Sequence, residues 1–182
     1  IKDYIYLYIY IFIPYLNVNT KMLTKEYKVE EISYERKEDR RIIEAVLRNW
    51  FKNPKILNLA APNLKYPFNF KEWLKFYSSS YSKAFILKKD NWIIGHIGIE
   101  QDIRLNSMHL FHLLIDINFQ RLGLGSNLIL KSELIAKNLN VKLISLNVLL
   151  SNKPAINLYK KLEYNKNSEK SKKKYVRFEK KF

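Results

Sequence analysis

The sequence predicts an α/β fold in which a mixed sheet with one parallel strand pair is flanked by helices. The most informative feature is a glycine-containing turn, residues 119–126, between a strand-like segment and a helical pattern. A second apolar strand-like segment, residues 141–149, follows that helix. Because a helical crossover joins the two segments, they are predicted to be parallel neighbours. Short turns upstream join the first of them to two other strands, which predicts antiparallel pairing in the same sheet.

The first half of the chain combines one strand with two helices. Residues 28–34 have strand character, and residues 38–51 place apolar side chains at helical spacing, which predicts an amphipathic helix. The Asn-Pro pair at residues 53–54 ends this helix, because the residue before a proline is biased away from helical backbone angles. Residues 56–67 are then predicted to be a loop, and residues 70–77 a second short helix.

The second half contains most of the predicted sheet. Its first two strands are joined by Lys89-Asp90-Asn91, which is typical of a hairpin turn. No internal repeat or linker divides this half of the chain. The predicted strands are residues 84–88, 92–102, 108–117, 141–149 and 174–180, and the predicted helices are the one that follows the glycine turn to about residue 138 and residues 152–162.

Composition excludes several kinds of chemistry. There is no cysteine, so disulfides, thiolate catalysis and cysteine-type zinc sites are ruled out. The three histidines are not joined by a metal-binding motif, and we expect no metal. The net charge of +16 favours anionic ligands. However, the lysines are spread over the chain, and acidic and apolar residues interrupt the densest run, residues 160–181, so we expect no specific nucleic-acid partner.

The N-terminus differs from the rest of the chain. Residues 1–16 are almost wholly Ile, Tyr, Leu and Phe, but the run is shorter than the roughly 20 apolar residues of a membrane-spanning helix. It also lacks a small-residue cleavage site. We therefore expect residues 1–21 to be an apolar extension and residues 22–182 to be the domain. No membrane span is expected, and a cytoplasmic location is favoured, with targeting by the N-terminus as the alternative.

The glycine turn has the character of an anion site. The whole chain has four glycines, and Gly123 and Gly125 both lie in the eight-residue segment Phe-Gln-Arg-Leu-Gly-Leu-Gly-Ser. At the start of a helix several backbone N–H groups lack partners, and together with the helix dipole they attract negative charge. Glycine allows a ligand to approach the backbone closely and allows positive φ. The pattern by itself is also compatible with an ordinary helix entry.

A second motif occupies residues 146–164, Leu-Asn-Val-Leu-Leu-Ser-Asn-Lys-Pro-Ala-Ile-Asn-Leu-Tyr-Lys-Lys-Leu-Glu-Tyr. Together with residues 120–125, it resembles the GCN5-related N-acetyltransferase (GNAT) superfamily. In that superfamily a Gln/Arg-x-x-Gly-x-Gly/Ala pattern grips the pyrophosphate of acetyl-CoA. An Asn-x-x-Ala-x-x-Leu-Tyr helix flanks the pantetheine and the thioester. The one helix and one strand between the two motifs also fit.

The resemblance implies the GNAT fold, in which the parallel strand pair splays apart, and acetyl-CoA as the cosubstrate. The pantetheine would lie between the parted strands and bond the main chain near Leu113 and Ile115. The N–H of Leu113 would polarise the thioester carbonyl. The implied cosubstrate-binding residues are Leu113, Ile115, Gln120, Arg121, Leu122, Gly123, Leu124, Gly125, Ser126, Asn152, Ala155 and Tyr159.

The resemblance also implies candidate catalytic residues. Tyr159 corresponds to a tyrosine near the CoA sulfur and would protonate the thiolate, although its helical spacing also suits a core aromatic. His109 falls where several branches of the family place a functional side chain, and an ordinary histidine pKa suits a base at neutral pH. Glu100 is the second candidate base. His112 ranks third, because strand alternation points it to the other face unless a bulge intervenes.

Two positions depart from the family pattern. Asn147 stands where related N-terminal acetyltransferases often carry Glu or His, and an amide cannot act as a base. Glu163 stands where a glycine usually follows the second-motif helix. The predicted function is direct acetyl transfer from acetyl-CoA to a primary amine, which is a protein N-terminus, a lysine or a small amine. The alternative is a non-catalytic CoA-binding sensor or scaffold, and a further partner subunit is left open.

Overall fold

A mixed sheet runs through residues 26–182, the part of the chain that the computed structural model describes. The predicted extension, residues 1–21, and the predicted start of the domain at residue 22 lie outside the described residues. Within them the strand order is β1-β2-β3-β4-β5-β7-β6, and β4 and β5 form the parallel pair. The strands are β1 Tyr27–Ile32, β2 Ser82–Lys89, β3 Trp92–Asp102, β4 Ser107–Ile115, β5 Leu143–Leu149, β6 Asn165–Lys172 and β7 Tyr175–Lys181.

Helices cover both faces of the sheet and bury two apolar clusters. On one face, Leu47 and Trp73 of the first helices pack with Ile86. On the other face, Leu128 and Tyr159 pack with strand residues such as Ile97. The predicted α/β fold class is therefore confirmed. The helices are α1 Lys37–Trp50, α2 Pro54–Ala60, α3 Phe70–Leu74, α4 Leu124–Asn138 and α5 Lys153–Lys161, with short 3₁₀ turns at Lys75–Tyr77 and Ile117–Phe119.

The prediction of a loop over residues 56–67 is wrong, because its first part belongs to α2. The side chain of Asn53 accepts a hydrogen bond from the N–H of Lys55 at 2.9 Å, and Pro54 occupies the first turn. Asparagine is a favoured N-cap, and a proline N–H is not needed at a helix start. The Asn-Pro pair therefore ends α1 and begins α2.

Strand β6 was not among the predicted strands. Its sequence, Asn-Lys-Asn-Ser-Glu-Lys-Ser-Lys, contains no apolar residue, so it gives no alternation signal. It forms the edge of the sheet and pairs with β7 alone among the described strands. Lysine-rich edge strands of this kind discourage pairing with other chains. The last predicted strand, residues 174–180, is thus the inner strand of a hairpin.

Strand β4 contains a β-bulge that redirects its side chains. The pairing of β3 with β4 shifts between His96 and Gly98, and His112 has a positive φ of 51°. Leu110 packs in the apolar cluster that contains Leu128 of α4, here called the α4 cluster. Leu114 packs in the cluster on the other face of the sheet, which contains Leu47 of α1 and is called the α1 cluster. The alternation prediction for His112 is therefore wrong. The extra residue of the bulge places His112 on the same face of the sheet as His109.

The parallel strands β4 and β5 pair only at their first residues. Their partners run from Ser107 opposite Leu143 to Leu110 opposite Leu146. Beyond Leu110 the β5-facing edge of β4 has no strand partner within the described residues. The backbone of that edge is available to hydrogen-bond a ligand that enters between the strands.

Glu163 closes helix α5 in a left-handed conformation, with φ of 65°. Its N–H donates to the carbonyl of Lys160 at 3.0 Å, and the next N–H, of Tyr164, donates to Tyr159 at 3.0 Å. This is the hydrogen-bond pattern of a glycine-type cap, with a glutamate in the glycine position. We expect Glu163→Gly to raise the free energy of unfolding by about 1 kcal/mol, because a Cβ is strained at positive φ.

Urea unfolding of the wild type and of Glu163→Gly measures this difference. Glu169→Gly, on the edge strand β6, is the control, and we expect it to be neutral or destabilising because glycine weakens a strand. A Glu163→Gly variant less stable than the wild type would contradict the strain at this position.

Candidate active site

The glycine turn places a cluster of free backbone donors at the start of α4. Arg121 and Gly123 both adopt left-handed backbone angles, with φ of 63° and 79°. Within the described residues, the N–H groups of residues 121–125 donate no hydrogen bond, and no side chain caps the helix. The Gln120 amide donates to the carbonyl of Ile115 at 3.0 Å and so ties the turn to the end of β4. These donors and the helix dipole fit a phosphate group.

Glycine is favoured at the two positions of this turn for different structural reasons. A Cβ on Gly123 would meet no atom within 4 Å, so its positive φ is what favours glycine there. A Cβ on Gly125 would lie 3.3 Å from Cδ2 of Leu158 on α5. The turn and α5 are therefore in close contact, and a side chain at Gly125 would crowd the space beside the free N–H groups.

A cavity of about 70 Å³ lies where β4 and β5 part. Its walls include Leu113 of β4 and three residues at the start and inner face of α5: Asn152, Ala155 and Tyr159. The side chain of Asn152 caps α5 by accepting a hydrogen bond from the N–H of Ala155 at 3.3 Å. Four residues predicted from the second motif and β4 are thus brought together around one cavity.

Tyr159 is held against the sheet with its hydroxyl free of protein partners. The residue is 7 % exposed, and burial raises the pKa of its phenol above the ordinary value. No hydrogen bond joins its hydroxyl to another residue of the described chain. The phenol therefore stays protonated at neutral pH and keeps its O–H available for a group in the cavity.

His109 lies in a row of polar side chains that crosses the sheet on the α1–α3 side. Glu100 is directly opposite His109 on β3, and Ser145 is opposite it on β5. The His109 Nδ1 atom is 3.0 Å from the Ser145 hydroxyl. Burial, together with the positive charge of Arg177, lowers the pKa of His109 to about 4. The imidazole is therefore neutral at physiological pH.

A groove of about 650 Å³ opens over this row of side chains. Glu100, His109 and Arg177 line it, and it shares Phe111 and Asn147 with the cavity between β4 and β5. The groove and the cavity therefore meet at the point where the parallel strands β4 and β5 separate. A molecule between the strands and a second molecule in the groove would touch one another there.

A buried hydrogen-bond chain holds the bulge of β4 in place. The indole N–H of Trp73 donates to the Tyr34 hydroxyl at 2.7 Å, which lies 3.0 Å from His96 Nε2. His96 Nδ1 is 3.1 Å from the carbonyl of His112, the residue with positive φ. A carbonyl only accepts, so Nδ1 carries the proton and Nε2 accepts from Tyr34. Burial lowers the pKa of His96 to about 4, which keeps this neutral tautomer.

Several residues in or beside the groove are not among those predicted from sequence. Ser145 and Arg177 are polar residues that alternate with core residues in β5 and β7, and that alternation is the signal that could have found them. Lys170 and Lys172 lie on the unpredicted strand β6. Their position over the groove follows only from the pairing of β6 with β7.

The donor-rich turn at the start of α4 leads through the gap between β4 and β5 to a groove with titratable side chains. This arrangement defines an enzyme that moves a group from a phosphate-bearing carrier to a second molecule. The sequence model of the Acetyltransferase (GNAT) family matches residues 45–164. That match covers more than half of the chain, and the protein belongs to this family. It is an acyltransferase whose cosubstrate is acetyl-CoA.

Solved structures similar to this chain have the same fold at low sequence identity. Spermidine N-acetyltransferase from Vibrio cholerae, solved with CoA and spermine, has a TM-score of 0.68 and 17 % identity, over 87 % of this chain and 96 % of that one. The ribosomal-protein-S18-alanine N-acetyltransferase from Escherichia coli has a TM-score of 0.62 and 16 % identity, over 84 % and 90 %.

A third similar structure is the PaiA N-acetyltransferase from Thermoplasma acidophilum in complex with coenzyme A. It has a TM-score of 0.65 and 18 % identity, over 86 % of this chain and 99 % of that one. No curated protein sequence matches the chain significantly. Among the helices of residues 26–182, none combines the length and the apolar character needed to cross a membrane.

Proposed function

We propose that the protein transfers the acetyl group of acetyl-CoA directly to the nitrogen of a primary amine. The observation that carries this proposal is the gap between β4 and β5, which connects the donor-rich turn to the groove beside His109. The acceptor is a protein N-terminus, a lysine side chain or a small amine. Since the chain has no cysteine, no cysteine-linked acyl-enzyme can form. We also propose a cytoplasmic location.

The turn and α5 form the cosubstrate site in this proposal. The N–H groups of residues 121–125 bind the pyrophosphate, with the exposed Arg121 side chain adding positive charge. Gln120 and Ser126 hold the ends of the turn through the carbonyls of Ile115 and Gly123. The open edge of β4 at Leu113 and Ile115 bonds the pantetheine, and Asn152 and Ala155 form the opposite wall.

The acceptor amine must lose a proton before or as its nitrogen forms the new C–N bond. We propose that His109, directly or through a water molecule, accepts this proton, with Glu100 as the alternative base. The sequence predicts a histidine with an ordinary pKa, whereas the pKa of His109 is lowered to about 4. His109 is therefore unprotonated at all pH values near neutrality. Any rise of the rate with pH near neutrality then follows the ionisation of the amine itself.

As the C–S bond breaks, the sulfur of CoA needs a proton or a hydrogen-bond donor. We propose that Tyr159 donates it, because its protonated phenol lines the cavity between β4 and β5. The proton lost by the amine and the proton gained by the thiolate balance over one turnover. The N–H of Leu113 stabilises the negative charge that develops on the thioester oxygen.

An amine panel tests the proposed function. The panel contains spermidine, a free amino acid, a lysine-containing peptide and a peptide with a free N-terminus, and free CoA thiol is measured over time. We expect transfer to at least one acceptor. Gly125→Asp is the inactive control, because its side chain crowds Leu158 and its charge repels a phosphate at the free N–H groups. We expect this variant to keep its unfolding temperature and lose acetyl-CoA binding in calorimetry.

Two outcomes would count against these assignments. A folded Gly125→Asp variant with unchanged affinity would exclude the turn as the phosphate site. Tight acetyl-CoA binding without transfer to any amine would favour the second candidate, a CoA-binding sensor or scaffold. Asn147 supports that second candidate, because an amide lines the meeting point of the groove and the cavity where related enzymes often carry a base.

A further inference from the structure

Resting on the proposed function, we propose that the acceptor is an amine that bears a carboxylate a few bonds away, and that the guanidinium of Arg177 binds this carboxylate. Two sources supply this chemistry: a free amino acid, and a peptide N-terminus followed by an acidic residue. The acceptor groove is thus built for an amine with a nearby negative charge and against polyamines, which carry further positive charges.

The charges around the groove favour an anionic group. Its lining contains four cationic side chains, Lys75, Lys170, Lys172 and Arg177, and one carboxylate, Glu100. Two of the lysines form exposed ion pairs, Lys75 with Glu72 and Lys170 with Glu179. Exposed pairs of this kind are weak and are screened by salt. Lys172 has no ion-pair partner within the described residues.

Arg177 has the free hydrogen-bonding capacity that a carboxylate needs. Its side chain is 23 % exposed, and its Nε donates to Glu179 at 2.8 Å. Within the described residues, its two terminal nitrogens have no hydrogen-bond partner. The planar fork of a guanidinium matches a carboxylate with two parallel hydrogen bonds. The two terminal nitrogens of Arg177 are therefore available to a ligand in the groove, while Glu179 holds the Nε side of the guanidinium.

The register of the sheet places Arg177 at a suitable distance from the site of reaction. His109 lies opposite Ser145 on β5, and Arg177 lies opposite Asn147 on β5 from the other side. Two strand spacings and an offset of two residues along the strands separate their backbones, about 12 Å in total, and both side chains line the groove. His109 and Arg177 also line a second hollow together with Ser145, so an amine beside His109 and a carboxylate a few bonds away can be held together.

Glu100 completes the arrangement on the opposite side of His109. It is exposed, lines the groove and lies directly across from His109 on β3. A carboxylate on one side and a guanidinium on the other match the two charges of an amino acid or of an acidic peptide N-terminus. A second ammonium group, as in a polyamine, would instead lie near Arg177 and the lysines and be repelled.

Matched peptides test the inference. The first peptide has alanine at its N-terminus followed by glutamate, and the second carries glutamine in place of that glutamate, so that only the charge differs. Free alanine and alaninamide form the second arm, in which again only the carboxylate differs, and spermidine the third. We expect kcat/KM to be roughly 10- to 100-fold higher for the glutamate peptide than for the glutamine peptide, as for a charge-assisted bidentate pair. Spermidine should be the poorest acceptor.

Arg177→Gln should reduce this preference to less than about threefold, and Arg177→Lys should keep an intermediate preference, because lysine keeps the charge but loses the fork. Lys173→Gln is the control, since Lys173 is an exposed lysine in the turn of the same hairpin and does not line the groove. Calorimetry with acetyl-CoA and thermal unfolding show that each variant is folded. Lys173→Gln should keep the full preference.

The possible outcomes separate the inference from the proposed function. Equal kcat/KM within both the peptide pair and the free pair in the wild type, or spermidine as the best acceptor, would overturn the inference while acetyl transfer stands. A preference that survives in a folded Arg177→Gln variant would overturn the role of Arg177. No transfer to any acceptor despite acetyl-CoA binding would overturn the proposed function and this inference with it. A preference within the peptide pair but not between alanine and alaninamide identifies a peptide acceptor, the reverse identifies a free amino acid, and both results support the inference.

Discussion

Replacing Tyr159 by phenylalanine is expected to lower kcat by roughly 10²–10⁴-fold while acetyl-CoA binding changes little. The substitution removes one hydroxyl and almost no volume from a side chain that packs in the α4 cluster. Within the described residues the hydroxyl has no hydrogen-bond partner, so its loss leaves no protein group unsatisfied. A fall in rate would therefore report the loss of a proton donor to the leaving thiolate.

Tyr164→Phe is the matched control for this prediction. Tyr164 is also buried, and its ring lies 6.0 Å from that of Tyr159, but it does not line the cavity between β4 and β5. We expect its loss to leave kcat unchanged. Single-turnover rates show whether chemistry limits the reaction. If Tyr159→Phe lowers the chemical step by less than about threefold, Tyr159 only packs the core, and solvent protonates the thiolate.

Acidification is expected to destabilise the fold through its three histidines. Burial lowers the pKa of His96 to about 4, that of His109 to about 4, and that of His112 well below its ordinary value. At pH values between these lowered pKa values and about 6.5, the ordinary pKa of histidine, the folded state therefore binds fewer protons than the unfolded state. Stability is complete above that range and falls as the pH falls through it. For the fully buried His96 alone the loss amounts to about 3 kcal/mol.

Urea unfolding at a series of pH values measures this loss. Between about pH 6.5 and pH 5 most carboxylates stay ionised, so the slope of stability against pH counts histidine protons. Near pH 5 we expect the slope to correspond to the uptake of between two and three protons on unfolding, roughly one per histidine. His109→Gln should reduce that uptake by about one. A wild-type uptake below about one proton would contradict burial of the histidines in their neutral forms.

The elements that carry a regular pattern were predictable from the sequence. Helices α1, α4 and α5, and strands β2 to β5 and β7, show apolar spacing of helical or strand period. The two motifs predicted the donor-rich turn at Gly123 and the wall formed by Asn152, Ala155 and Tyr159. These features depend on residues that are close in the chain, such as a strand, a glycine turn and a helix start. Local sequence is therefore sufficient to determine them.

The rest of the site depends on which distant residues the sheet brings together. Strand β6 has no apolar residue and forms only because β7 offers it an edge. The bulge changes the face of the sheet to which the β4 side chains beyond Leu110 point. Hydrogen bonds that run from Trp73 through His96 to the His112 carbonyl hold the bulge in place. The lowered pKa of His109 and the approach of Arg177 follow from burial and from strand register.

By itself, then, the sequence determined the fold class, the family and the turn that suits the cosubstrate phosphates. Only the tertiary structure decided that His109 and His112 share a face, that His109 is neutral, and that the acceptor groove is lined by Arg177 and the β6 lysines. The physical reason is that periodicity and turn chemistry act over a few residues. Desolvation, charge proximity and side-chain facing at a bulge are properties of neighbours in space.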